Sequence, residues 1–153
     1  MTKRYTYHLK NKEQTIALGE KFGQHLFEGA IITLEGDLGA GKTTFTKGIA
    51  KGLGITQIVN SPTFTIIKEY EGRLPLFHID AYRLDNAEED LGFDEYFFGE
   101  GVTVIEWPSK IADQIPESHL NIIIQHLGDK GREISFHPKS SEYEELCEEI
   151  LNA

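Results

Sequence analysis

The sequence is poor in the features that staple or anchor many small proteins. Its 153 residues include one cysteine, Cys147, which excludes an intramolecular disulfide and a zinc site built on cysteine pairs. The six histidines are scattered without metal-ligand spacing, so no zinc site is expected. No apolar stretch approaches the roughly 18 residues of a membrane span. The opening M-T-K-R-Y-T-Y-H-L-K lacks an apolar h-region, and the expectation is a cytoplasmic chain. Basic residues are outnumbered, with 15 Lys and Arg against 25 Asp and Glu for a net charge of −10. Proteins that grip nucleic acid unaided rely on Lys and Arg clusters, so direct RNA binding is disfavoured.

Against these absences stands one strong motif. Gly36 to Thr43 reads G-D-L-G-A-G-K-T, the full G-x-x-x-x-G-K-[ST] pattern of a phosphate-binding loop. Ala30 to Glu35 before it is short, mostly apolar and β-branched, suited to a buried strand. Phe45, Ile49 and Leu53 after it recur on one helix face, and Gly54 is placed to end that helix. The glycines let backbone N–H groups turn inward around an anion, and the helix N-terminus adds partial positive charge. In such a loop Lys42 reaches the β- and γ-phosphates, Thr43 offers its hydroxyl to Mg²⁺, and Thr44 can donate to the α-phosphate.

The rest of the chain reads as alternating strands and helices. Arg4 to Leu9 suits a strand, and Asn11 with Gln14 forms a capping-box signature for a helix running to about Leu26. Thr65 to Tyr70 and Leu74 to Ile79 are expected as a hairpin around Glu71 to Arg73. An acidic helix is expected from Asp85, a buried strand over Val102 to Ile105, and a brief helix around Ser109 to Ile115. Leu120 to His126 and Glu133 to His137 read as two more strands, followed by a helix from Ser141 with Glu144 completing a capping box. The fold class expected is α/β, a P-loop NTPase forming a single domain over residues 1–153, with a mixed sheet flanked by helices. Seven carboxylates between Asp85 and Glu100, and five between Glu142 and Glu149, are either solvated helix faces or a docking surface for a basic partner.

A phosphate loop needs a carboxylate at the end of a neighbouring strand to help hold Mg²⁺. Asp80 ends L-P-L-F-H-I-D and Glu106 ends V-T-V-I-E. Either can hold the metal while the other orients the attacking water. Ser61-Pro62-Thr63-Phe64 lies where hydrolases keep a γ-phosphate sensor, or is a plain proline turn. Arg83 and Arg132 are phosphate or partner contacts or simple surface residues, and His78 reads as structural.

Together G-D-L-G-A-G-K-T-T, S-P-T-F, H-I-D-A-Y-R and I-E-W, in this order and spacing, resemble the TsaE family, formerly YjeE. The resemblance implies a small bacterial ATPase required to form N6-threonylcarbamoyladenosine next to the anticodon of tRNAs reading codons that begin with A. It implies work on a complex of TsaD and TsaB, with tRNA met only through that complex, and ATP/ADP and Mg²⁺ as cofactors. By the same resemblance the loop Asp37, Leu38, Gly39, Ala40, Gly41, Lys42, Thr43 and Thr44 holds the phosphates. Ser61 and Thr63 belong to the sensing segment, Thr43 and Glu106 bind Mg²⁺ with Asp80 near it, and Asp80 supports hydrolysis alongside Lys42. Trp107 sits close to the nucleotide, and Arg132 and the region of Asn11 border it. A small-molecule kinase is the alternative, weakened by the absence of an arginine-rich lid. A GTPase is disfavoured because N-K-x-D is missing, Asn11 continuing as N-K-E-Q. A binding module without hydrolysis is a further class.

Overall fold

The computed structural model describes residues 4–36, 41–57, 59, 67–81, 97 and 99–151. The expected strands form one seven-stranded sheet from β1 (Tyr5–Leu9), β2 (Ile31–Glu35), β3 (Ile67–Tyr70), β4 (Leu76–Asp80), β5 (Val102–Glu106), β6 (Leu120–His126) and β7 (Arg132–Pro138). Their order across the sheet is β1-β7-β6-β2-β5-β4-β3. The inner pairs β6–β2, β2–β5 and β5–β4 are parallel, and the outer pairs are antiparallel. The hairpin expectation for β3 and β4 is met, with Tyr70 opposite Leu76.

Parallel strands must be covered on both faces, and the burial follows that rule. β5 is buried at all five positions and β2 at its first four. On one face Ile32, Leu34, Leu76, Val102 and Val104 pack under the helices α1 (Lys12–His25), α2 (Lys42–Gly52) and α3 (Ser141–Leu151). On the other, Ile31, Ile79 and Ile105 form a smaller cluster with Ala81, Phe97 and Ile111. The brief helix expected at Ser109 is a 3₁₀ segment over Pro108–Gln114, broken at Ile111 by non-helical backbone.

The helix ends show how far the capping signals in the sequence hold. Asn11 Oδ1 accepts the Gln14 N–H at 2.9 Å, and Gln14 Oε1 accepts the Lys10 N–H at 2.7 Å, one residue short of a reciprocal capping box. α3 begins at Ser141 as expected, but Glu144 N–H bonds to Ser140 O at 3.0 Å, so Ser140 and not Ser141 stands at the N-cap. α2 ends as the glycine predicts. Gly54 has φ +77°, and Gly54 N–H to Lys51 O (3.1 Å) with Ile55 N–H to Ala50 O (3.0 Å) closes a Schellman motif. The C-terminal helix, which no motif covered, docks through buried Tyr143, Leu146, Cys147 and Ile150. The Tyr143 hydroxyl accepts the Ile31 N–H at 2.9 Å, so the helix is tied to the strand that precedes the phosphate-loop sequence. Burial there pushes the Cys147 thiol up to about 12, which makes it a packing residue with little thiolate.

The contact of α1 with α2 depends on glycine. A Cβ on Gly23 would lie 2.2 Å from Ile49 O, and one on Gly48 would lie 2.3 Å from Ile16 O. The backbones are therefore closer than any side chain allows. Gly23→Ala is expected to destabilise the chain by about 1–3 kcal/mol through overpacking, lowering Tm by roughly 3–10 °C at this size. A thermal melt with an unchanged midpoint would contradict this packing. Among the described residues no helix is long and apolar enough to cross a membrane.

Candidate functional site

Parallel pairing brings the carboxyl ends of β2, β5 and β4 to one edge of the sheet. Asp80 is the register partner of Glu106, and Leu34 is the partner of Glu106 on the other side. Residues paired in register share a face, so Asp80 and Glu106 both lie on the face that α2 covers. α2 begins directly above this edge, and Gly41, at its N-cap, has φ +117°. That left-handed conformation is cheap only for glycine.

Five side chains converge there, those of Lys42, Thr43, His78, Glu106 and Trp107. Lys42 is 5% exposed and Glu106 is 3% exposed, unusual burial for charged residues and costly unless they are partnered. The Lys42 ammonium donates to Gly36 O at 2.6 Å and lies 3.6 Å from the centroid of the Trp107 ring. The second contact is a cation–π interaction. Thr43 Oγ1 donates to Glu106 Oε2 at 3.4 Å, and the same oxygen lies 2.5 Å from His78 Nε2. Trp107 follows Glu106 with φ 60° and ψ 53°, the only non-glycine residue with positive φ among those described. This strained turn presents its ring to Lys42. Beside it, Glu35, Gly36, Trp107, Pro108 and Ser109 line a cleft of about 200 Å³.

Arg132 approaches from β7. Its Nη1 donates to Thr15 Oγ1 at 3.4 Å, and a Cβ on Gly41 would lie 3.1 Å from its Nε. The guanidinium thus rests against the start of α2, and its buried Nε has no hydrogen-bond partner among the described residues. Asn11 is reached only indirectly: its carbonyl accepts from Thr15 Oγ1 at 3.3 Å, while its side chain is committed to the α1 cap. Thr44 is the third residue of α2. Asp37, Leu38, Gly39 and Ala40, Ser61 and Thr63, and Arg83 lie outside the described residues.

The donor set suits a small hard cation. Mg²⁺ takes oxygen ligands at 2.0–2.1 Å in an octahedron, whose adjacent vertices are roughly 3 Å apart, and it draws on one or two carboxylates plus phosphate oxygens. A hydroxyl and a carboxylate oxygen 3.4 Å apart need close in by only about half an ångström to take neighbouring vertices. Asp80 stands one strand further out at the same edge, half-buried. His78, expected to be structural, is fully buried and contacts Glu106, a partner that its place in the sequence does not name. The available signal was its position two residues before Asp80, on the same face of a buried strand.

Fold and site therefore define an α/β protein with a mixed seven-stranded sheet, whose inner parallel strands carry a phosphate-loop sequence and two carboxylates to one edge. Residues 9–134 match the family described as threonylcarbamoyl adenosine biosynthesis protein TsaE, and the chain belongs to that family. It is 56% identical over 141 residues to the tRNA threonylcarbamoyladenosine biosynthesis protein TsaE of Bacillus subtilis, covering 92% of this chain and 89% of that one. The protein of the same name from Treponema pallidum is 44% identical over 128 residues, 82% and 95% of the two chains. The crystal structure of Bacillus subtilis YdiB superposes with a TM-score of 0.89 at 49% identity, over 99% of this chain and 97% of that one.

Proposed function

We propose that this protein is a P-loop ATPase that serves tRNA threonylcarbamoyladenosine formation by binding and hydrolysing ATP on behalf of a TsaD–TsaB complex. The observation that carries the reading is the meeting of Lys42, Thr43 and Glu106 at the strand edge where the phosphate-loop sequence opens α2. A buried lysine, a hydroxyl and a carboxylate are what a triphosphate with Mg²⁺ requires, and the family supplies the pathway.

Each side chain then has a task. Lys42 exchanges its contacts with Gly36 O and the Trp107 ring for the β- and γ-phosphate oxygens, and the N-terminus of α2 adds partial positive charge. Thr43 and Glu106 hold Mg²⁺, which when bound neutralises charge on the phosphates. Asp80, beside Glu106 in register, accepts a hydrogen bond from the attacking water and orients it toward the γ-phosphorus. Arg132, with its unpartnered Nε beside Gly41, borders the nucleotide. Ser61 and Thr63 respond to the γ-phosphate and change the docking surface when it leaves. The net charge of −10 keeps tRNA on the partner complex.

Phosphate release with ATP and GTP, with and without TsaD–TsaB, tests this reading. The expected result is slow, Mg²⁺-dependent release that favours ATP and changes when the complex is added. Transfer of phosphate to a small acceptor in place of release would replace the ATPase reading with a kinase.

A further inference from the structure

His78 lies outside every role assigned above, and its surroundings mark it out. It sits in the middle of β4, fully buried, opposite Val104 in register. Its ring reaches diagonally to the next residue on that face of β5, Glu106, with Nε2 2.5 Å from Oε2. A carboxylate oxygen only accepts, so Nε2 must donate. The Nδ1 atom is buried without a hydrogen-bond partner among the described residues. The ring therefore has one polar partner there, and that partner is Glu106.

We propose that His78 is a positioning residue that fixes the rotamer of Glu106 by holding Oε2, so that the carboxylate faces Thr43 and the cation at a set angle. The inference rests on the reading of Glu106 as a Mg²⁺ ligand. Its physical basis is the restricted freedom of the carboxylate. A glutamate has three side-chain torsions, and ordering them costs entropy each time a cation binds. A donor from a rigid strand interior removes that cost in advance. Both contacts to Glu106 fall on Oε2, which leaves Oε1 without a hydrogen bond to a described residue. Ligating carboxylates are commonly oriented in this way by an outer hydrogen bond, whose loss lowers metal affinity about 10- to 100-fold.

The test measures cation binding apart from turnover. Mn²⁺, as a paramagnetic substitute for Mg²⁺, is titrated into the ADP-saturated protein and the free ion is followed by electron paramagnetic resonance. His78→Phe keeps the ring volume and removes the donor, whereas His78→Gln returns an N–H within reach of Oε2. The expected result is Mn²⁺ affinity weakened about 10- to 100-fold in His78→Phe, near wild type in His78→Gln, and ADP affinity in EDTA unchanged in both. Wild-type Mn²⁺ affinity in His78→Phe overturns the proposal. If His78→Phe does not fold, a folded His78→Gln with a tenfold or greater loss overturns it equally. Glu106→Gln is run in parallel. Weakened Mn²⁺ binding in Glu106→Gln alone leaves the metal ligand standing and removes His78 as its positioner. Unchanged binding in Glu106→Gln removes the metal site and the proposal with it.

Discussion

Lys42→Ala is expected to weaken ATP binding by about 100-fold, the equivalent of about 3 kcal/mol for the loss of charge-assisted hydrogen bonds to the β- and γ-phosphates. The ammonium is 5% exposed and held between Gly36 O and the Trp107 ring. The same arrangement provides an optical probe. Drawing Nζ from the ring toward a phosphate changes the environment of the sole tryptophan, so wild-type emission shifts on titration with ATP. Calorimetry measures the affinity, and a thermal melt separates folding from binding. Wild-type protein gains about 2.7 kcal/mol of stability at ATP concentrations of 100 Kd, whereas the variant gains far less at the same concentration. ATP affinity in Lys42→Ala equal to wild type would remove the phosphate site from this loop.

The second large effect belongs to Glu106. Glu106→Gln is expected to lower Mg²⁺-dependent hydrolysis by about 100-fold or more, close to 2.7 kcal/mol of barrier, because a neutral amide is a poor ligand for a hard cation. The amide oxygen can still accept from His78, so the strand end keeps its hydrogen bond and the protein stays folded. Nucleotide binding in the absence of metal is expected to persist. Asp80→Ala should lose hydrolysis with less effect on the Mg²⁺ requirement, since the proposed function gives the attacking water to Asp80 and the metal to Glu106. Steady-state rates across a Mg²⁺ titration distinguish the two. In reconstituted tRNA modification both variants are expected to stall after few turnovers; sustained multiple turnover without hydrolysis would show that the contribution to the partner is binding alone.

The contrast between Asp80 and His78 indicates where sequence reading stops. Both lie on β4 and on the same face. Asp80 could be picked out because a carboxylate ending an apolar run is chemically conspicuous. His78 could not, because a histidine inside such a run gives no sign of its neighbour until β4 is set beside β5 in parallel register. The same applies to Lys42 and Trp107. Each could be assigned to the nucleotide separately, but their stacking depends on a left-handed turn after β5 that no residue pattern announces. Gly23 and Gly48 were invisible for a related reason: a glycine in a helix reads as a weak position until a second helix is placed against it.

What the sequence alone determined was local and chemical. The phosphate-loop pattern, the strand before it, the helix after it with its glycine stop, the Asn11 cap and the β3–β4 hairpin all follow from spacing and residue type within a few positions. So did the family, because four motifs in fixed order constrain the chain more tightly than one. What tertiary structure decided was every relation between distant segments: the parallel placement of β2 between β5 and β6, the meeting of Thr43 with Glu106, the grip of His78 on that carboxylate, and the docking of α3 through Tyr143 onto Ile31. The physical reason is that hydrophobic burial, the main force in folding, depends on the area covered and hardly on which segment covers it. A strand's pattern therefore announces that it will be buried without naming its neighbour. The neighbour is selected by the whole sheet at once, through register, twist and the fit of helices across its two faces.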